Sequence, residues 1–167
     1  MGRLRGVQGR TWAALGIVAV AFVLPIPGLW VYQGPPMEEG FMLAFPQRIL
    51  AGELPHVDFL HLYGPGSLYV LAGVYKVFGS TLGVERTVGI VQHALLVFGM
   101  FSLARPWGRR AATTSALTAL VITITPLGLS AMAWNGALGL AVGGLALIQP
   151  VLSCESTTRV VLSQDRT

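Results

Sequence analysis

The chain of 167 residues is strongly apolar, with 53% hydrophobic and only 11% charged residues and a mean hydropathy of +0.67. A soluble domain is about a quarter charged. The charges are also bunched, which excludes a soluble globular enzyme, a disordered tail and a nucleic-acid-binding module. The single cysteine, Cys154, excludes a disulfide framework and a cysteine-based zinc site. We therefore expect an all-α integral membrane protein.

Four apolar stretches are predicted to cross the membrane, since the bilayer core needs about 20 residues of helix. The first stretch has this length without a charge, and Pro25 and Pro27 are expected to kink or end it. It lacks the small-residue cleavage site that follows the shorter apolar core of a signal peptide. The predicted spans are residues 11–32, 87–104, 111–133 and 136–151.

Residues 67–78 are also apolar, but a helix of this length rises only about 18 Å. We therefore predict an interfacial or re-entrant helix. Lys and Arg favour the cytoplasmic side, and four spans with both termini in the cytoplasm leave only Arg48, Lys76 and Arg86 of the 11 basic residues outside. Counting 67–78 as a span would move the basic turn after the second span outside. Residues 33–86 are therefore expected to form one extracytoplasmic segment.

This extracytoplasmic segment is predicted to hold two short helices and a loop. Phe41, Phe45 and Ile49 recur at four-residue spacing and predict a helix over 38–50. A loop rich in Pro and Gly follows at 51–65. Ionisable residues beside a membrane indicate a functional site, and nearly every catalytically useful side chain lies here: Glu38, Glu39, Glu53, His56, Asp58, His61, Tyr63 and Lys76.

The acidic pair Glu38–Glu39 has two interpretations. Acids at a helix start complement the helix dipole. A carboxylate at this place could instead deprotonate an acceptor hydroxyl or hold a divalent ion against a phosphate. Adjacent helical side chains point about 100° apart, so only one of the two is expected to face a site.

Asp58, His61 and Tyr63 form a second cluster on the loop. They could converge as metal ligands or phosphate contacts, whereas a local hydrogen bond would explain Asp58 and His61, and an interfacial aromatic belt would explain Tyr63. Zinc needs a third or fourth protein ligand, so a Mg²⁺ or Mn²⁺ ion held by Asp58 is the better metal hypothesis. In the spans, His93 predicts an interhelical hydrogen bond, and Gly139-x-x-x-Gly143 predicts close helix packing.

The order of these features resembles the start of bacterial GT-C superfamily glycosyltransferases, which include the protein O-mannosyltransferases and the aminoarabinose transferases of lipid A. The resemblance covers about residues 10–130. Glu38 replaces the usual aspartate of the acidic pair, and His56 replaces the usual aromatic residue of the loop. The matching elements are Glu38–Glu39, Gly52-x-x-Pro55-x-x-Asp58-Phe59, His61, Gly64–Pro65, Phe78–Gly79 and Arg86.

The resemblance implies an enzyme of the cell membrane that transfers a sugar from a polyprenyl-phosphate carrier to an acceptor on the extracytoplasmic face. It implies Glu38 or Glu39 as the catalytic base. The donor phosphate or a divalent cation (Mg²⁺ or Mn²⁺) would be contacted by Asp58, His61, Tyr63 and Arg86. The expected partners are the lipid-linked donor and membrane lipid, and no nucleic acid.

The chain is shorter than full members of that superfamily, which have several hundred residues and many more spans. We expect residues 1–152 to form the N-terminal transmembrane region of such a transferase, too short to be active alone. Residues 153–167 are polar, and we interpret them as a cytoplasmic tail and as a truncation or frameshift end. The alternative is a non-catalytic small membrane protein or an accessory subunit.

Overall fold

The computed structural model describes residues 2–32, 34 and 36–164, and over these residues the protein is all-helical, as predicted. Its only extended pairing there is an isolated bridge between Pro55 and Phe59. The helices are α1 (Gly2–Val23), α2 (Ile26–Val31), α3 (Pro36–Leu50), α4 (Gly66–Phe78), α5 (Leu82–Ala104), α6 (Arg109–Leu127) and α7 (Ala133–Gln164), with a 3₁₀ turn at Arg105–Trp107.

Two stretches of the described chain are long and apolar enough to cross a membrane, judged by length and composition. The first, Thr11–Val31, is broken between Val23 and Ile26, which confirms the interruption predicted at the prolines. The second, Leu82–Trp107, comprises α5 and the 3₁₀ turn. The arrangement with four spans stays a prediction.

Helix α5 begins at Leu82 rather than at residue 87, because Thr81 caps it. The Thr81 hydroxyl accepts a hydrogen bond of 3.3 Å from the Val84 amide, the usual way in which a threonine satisfies a free N–H group at a helix start. The earlier start places Glu85 and Arg86 in the first turns of the helix. Both side chains are therefore held on a regular element.

Helix α6 ends six residues before the predicted position of 133, which corrects the third predicted span. Its C-cap is Gly128, with φ +62°, a value that glycine adopts without strain. The turn over 128–132 packs on α5 so closely that a Cβ atom on Gly89 would lie 1.8 Å from the Leu129 carbonyl oxygen. Helix α7 then runs past 151 to Gln164, where we expected a polar tail, and residues 165–167 lie outside the described residues.

Helix α5 packs against α7 through glycines, which confirms the close packing predicted from Gly139-x-x-x-Gly143. A Cβ atom on Gly139 would lie 2.9 Å from the Gln92 carbonyl oxygen, and one on Gly99 would lie 3.2 Å from the Gly143 nitrogen. The hydrogen bond predicted for His93 is also present. Its Nε2 lies 3.3 Å from Nδ2 of Asn135 on α7.

The two short helices α3 and α4 confirm the helices predicted over 38–50 and 67–78, and they pack on each other. The Tyr75 hydroxyl on α4 donates a hydrogen bond of 3.1 Å to the Met42 carbonyl on α3. The buried residues of α3 are Glu39, Met42 and Pro46, whereas Phe41 is exposed. The buried face is therefore rotated relative to the predicted apolar stripe, and it contains one member of the acidic pair.

Candidate functional site

The two members of the acidic pair have different surroundings. Glu39 shares the buried face of α3 with Met42 and Pro46. Its Oε1 accepts a hydrogen bond of 2.9 Å from Nε of Arg86, and its Oε2 accepts one of 3.1 Å from Nη2. Glu38 is half-buried and makes no hydrogen bond or ion pair with the described part of the chain. Of these two residues, Glu38 is therefore the one whose carboxylate is available to another molecule.

The Arg86 guanidinium is fully engaged by the protein. Besides the two bonds to Glu39, its Nη1 donates to the carbonyl oxygens of Leu29 (3.5 Å) and Trp30, and its Nη2 donates to that of Tyr32 (2.8 Å). These carbonyls lie at the end of α2, where no further helical turn satisfies them. The five N–H groups of an arginine are thus all used. Arg86 ties together the end of α2, the start of α3 and the start of α5.

A cleft of about 460 Å³ opens beside this ion pair, between α2, α3 and the start of α5. Its walls combine aromatic, aliphatic and charged side chains. One side of the Glu39–Arg86 ion pair therefore faces this cleft. Residues that line it include Trp30, Tyr32, Glu39, Leu43, Leu82 and Arg86.

Glu85 was not singled out as a site residue from the sequence, and it is fully buried. Its Oε1 accepts hydrogen bonds from the Ala131 amide (2.7 Å) and the Ser130 hydroxyl (3.1 Å). The adjacent residues Glu85 and Arg86 thus point to different neighbours, one to the turn 128–132 and the other to α3. The available signal was the spacing of Glu85, Gly89 and His93, which places three residues without aliphatic side chains along one face of α5.

The carboxylate of Asp58 is hydrogen-bonded to the backbone of the loop in which it lies. Its Oδ2 accepts a hydrogen bond of 2.7 Å from the Leu54 amide, so the local bond of Asp58 is made to the backbone of its own loop. Arg48 braces the same loop, because its Nη2 donates to the Asp58 carbonyl (3.2 Å) and its Nε donates to Glu53 (2.6 Å). The Arg48 guanidinium also lies 4.6 Å from the ring centre of Phe59.

The side chain of His61 is surrounded by other rings, and the residue is only 5% exposed. Its ring centre is 5.6 Å from that of Phe45, 5.8 Å from that of Tyr63 and 6.3 Å from that of His56. Burial, together with the nearby His56, lowers the pKa of His61, so the imidazole is neutral at pH 7. Its Nε2 has no hydrogen-bond partner within the described residues.

Across the described ranges, no three His, Cys, Asp or Glu side chains are placed to share a metal ion. Asp58, the residue predicted to hold a divalent cation, directs one carboxylate oxygen at the Leu54 amide. The divalent cation remains a prediction from the sequence.

An apolar groove of about 720 Å³ runs between α4, α5 and the start of α7, within the usual size range of ligand pockets. Two polar atoms of groove residues, Oγ of Ser67 and Oε1 of Gln92, lack a hydrogen-bond partner in the described chain. Tyr63 lies at the same groove and links it to His61. The apolar part of the lining includes Val70, Leu71, Val91, Leu95, Trp134 and Leu140.

The predicted site residues form two groups, one at the start of α3 and one beside its later turns. Glu38 and the Glu39–Arg86 pair lie at the start of this helix, whereas Asp58, His61 and Tyr63 belong to the loop that packs on Phe45 and Arg48 further along it. Glu39 and Phe45 are six residues apart, or about 9 Å along the helix axis. Comparison of the chain with family models, curated proteins and solved structures finds no match.

Proposed function

We propose that this chain is the N-terminal transmembrane region of a membrane glycosyltransferase that uses a polyprenyl-phosphate sugar donor and acts on the extracytoplasmic face of the cell membrane. In this proposal the chain crosses the membrane four times with both termini in the cytoplasm. Support comes from the two apolar helices long enough to cross, the distribution of basic residues and the resemblance noted in the sequence.

The observation that carries the proposal is the apolar groove between α4, α5 and α7. A polyprenyl chain is a long apolar ligand with a polar head, and the groove combines an apolar lining with the unpartnered Ser67 Oγ and Gln92 Oε1. An unsatisfied buried polar atom costs free energy, so the polar head of the donor is favoured beside these atoms, because its phosphate can accept from the Ser67 hydroxyl and its sugar hydroxyls can donate to Gln92 Oε1. The groove would hold the apolar chain of the donor, with the sugar phosphate directed toward Tyr63 and His61.

Glu38 is the general base of the proposed reaction. Its carboxylate takes the proton of the acceptor hydroxyl, the acceptor oxygen forms a bond to the anomeric carbon, and the bond from that carbon to the phosphate oxygen breaks with inversion. The polyprenyl phosphate leaves with the bonding electron pair. Both oxygens of Glu39 are engaged by Arg86, so these two residues position the start of α3. No step is assigned to a divalent ion.

Donor binding can be tested with a photoactivatable polyprenyl phosphate on membranes that contain the protein. Ala137 lines the groove, whereas Ala141, one helical turn further along α7, is exposed and outside it. Ala137→Trp should fill the groove and reduce labelling, while the matched variant Ala141→Trp should label as the parent does. Equal labelling of both variants, or labelling that unlabelled polyprenyl phosphate fails to compete, would remove the groove from the proposal.

Catalysis can be tested by sugar transfer from a polyprenyl-phosphate donor in membranes that contain the intact transferase of which this chain is proposed to be the N-terminal region. Loss of a general base costs about 10²–10⁴ in rate, so Glu38→Gln should lower transfer by that amount while donor labelling and the unfolding temperature stay unchanged. Near-normal transfer by Glu38→Gln would leave Glu38 with the role of complementing the helix dipole. An accessory subunit would show donor labelling without any transfer that depends on Glu38.

A further inference from the structure

The loop between α3 and α4 uses its polar groups internally. Glu53 pairs with Arg48, the Asp58 carboxylate accepts from the Leu54 amide, and the Asp58 carbonyl accepts from Arg48. The backbone adds bonds of 2.8 Å from the His56 amide to the Phe59 carbonyl and 2.9 Å from the Asp58 amide to the Leu54 carbonyl. The loop therefore has a defined conformation rather than a choice of many.

The outer surface of this loop carries four aliphatic side chains, beside the exposed His56 and Asp58. Val57 is 77% exposed, Leu60 is 77% exposed and Leu62 is 82% exposed, and Leu54 is also more than half exposed. Single exposed apolar residues are ordinary on a protein surface, but several on one short segment mark an interaction site. A loop surrounded by water would be expected to turn such aliphatic side chains inward, whereas here they face outward.

The residue types on this surface favour lipid over a protein partner. Energetically dominant positions of protein interfaces are enriched in Trp, Tyr and Arg and poor in Leu and Val. The aromatic residue in the middle of the loop, Phe59, is buried against Phe45 with ring centres 5.0 Å apart. The tyrosines instead follow the aliphatic stretch, since Tyr63 and Tyr69 are both partly exposed, as in the aromatic belts at membrane interfaces.

The apolar surface continues on the next element. Helix α4 exposes Val70, Val77 and Phe78, and its exposed Lys76 directly precedes the last two. A lysine in this setting can extend its ammonium group to lipid headgroups while its stem stays among apolar side chains. The loop and α4 thus both expose apolar side chains, on the segment that joins the two stretches long and apolar enough to cross a membrane.

We propose that Val57, Leu60 and Leu62 insert into the outer leaflet of the membrane and anchor the loop at the level of the headgroups. The proposal rests on the membrane placement in the proposed function, but it needs neither the donor nor the transfer reaction. The inserted side chains would hold His61 and Tyr63 at a fixed depth beside the bilayer. Interfacial segments of this kind bury their apolar side about 5–10 Å into the boundary of headgroups and acyl chains.

The test uses the full chain in vesicles of phosphatidylethanolamine and phosphatidylglycerol, with Cys154 replaced by Ser and one spin label at a time at position 57, 60 or 62. Labels at Ile17, in the first apolar stretch, and at Gln47, an exposed polar residue of α3, serve as lipid and water references. Collision with oxygen should dominate over collision with a water-soluble nickel chelate at 57, 60 and 62, as at 17, whereas 47 should show the reverse.

Two outcomes would overturn the insertion of the loop. Nickel access at 57, 60 and 62 together with lipid exposure at 17 would place the loop in water, and shielding of all three labels from both reagents would mean that protein covers them. Nickel access at 17 would instead overturn the membrane placement on which the proposed function itself rests. Loss of donor labelling with normal spin-label results would leave the insertion intact.

Discussion

Two arginine–glutamate pairs of the same chemistry lie at opposite ends of α3. In the pair Arg86–Glu39 the side chains are 5% and 10% exposed, whereas in the pair Arg48–Glu53 they are 40% and 37% exposed. The first pair joins elements far apart in the sequence. The second braces a loop whose partners lie within ten residues of the arginine.

Burial decides what each pair contributes. Removing one partner of a buried pair leaves an uncompensated charge and costs about 3–5 kcal/mol. An exposed pair of long side chains contributes about 0.2–1 kcal/mol, because water and salt screen it. The two pairs consist of the same residue types, so the sequence alone does not distinguish them. The packing makes Arg86–Glu39 a buried contact between distant elements and Arg48–Glu53 an exposed contact within one loop.

The largest effect is expected from Arg86→Met, with Arg48→Met as its matched control. Arg86→Met leaves Glu39 unpaired and the end of α2 without donors, so the free energy of unfolding should fall by about 3–5 kcal/mol. Arg48→Met should cost about 1–2 kcal/mol, from the exposed pair and the contact with Phe59. Denaturant titration in detergent micelles measures both, and equal losses would contradict the comparison.

A smaller loss of stability is expected when the contact between α5, which carries Arg86, and the turn 128–132 is disturbed. In Gly89→Ala the new methyl group would meet the Leu129 carbonyl, and overpacking of this kind costs about 1–3 kcal/mol. Gly73→Ala on α4 meets nothing within 4 Å and should be neutral or stabilising by up to about 1 kcal/mol, since alanine favours helix over glycine. A stable Gly89→Ala protein would mean that the turn 128–132 does not brace α5.

Added salt should change the stability contribution of Glu53 but not that of Glu39. Glu53→Gln should lower the free energy of unfolding by no more than about 1 kcal/mol, and the difference from the parent should vanish in 1 M salt, where the Debye length is about 3 Å. The cost of Glu39→Gln should remain, because buried charges are poorly screened. A salt-dependent effect at Glu39 would show that water reaches this pair.

The smallest effect is a pH dependence from His61. Because burial and His56 lower the pKa of His61 in the folded protein, the unfolded chain binds the proton more readily, and stability falls as the pH drops below the ordinary value of about 6.5. His61→Phe should remove this fall, whereas His56→Gln should keep most of it, because burial is the larger cause. Unfolding temperatures between pH 8 and pH 5 would show whether the slope is present.

The sequence predicts the helices well where apolar periodicity and turn residues agree. The short helices α3 and α4 and the interruption near Pro25 and Pro27 follow from such patterns. The end of α6 does not, because residues 128–132 are as apolar as a helix. That turn is stabilised by tertiary contacts with Glu85 and Gly89, which no local pattern reveals.

The candidate site is predictable only as a set of residues. The acidic pair and Arg86 are visible in the sequence, but which carboxylate meets the guanidinium depends on the rotation of α3. The predicted apolar face with Phe41 left Glu39 unassigned, whereas the burial of Met42 and Pro46 on the same face of α3 places Glu39 inward. A local hydrogen bond of Asp58 could be anticipated, since such residues bond to nearby backbone groups, but its partner, the Leu54 amide, could not.

The most direct measurement compares the unfolding temperatures of Glu38→Gln and Glu39→Gln, two identical changes at adjacent positions. Glu39 belongs to the buried pair, whereas Glu38 has no partner in the described chain. Glu39→Gln should therefore unfold at a clearly lower temperature than the parent, and Glu38→Gln should match the parent. Equal temperatures for the two variants, or a loss confined to Glu38→Gln, would contradict this assignment.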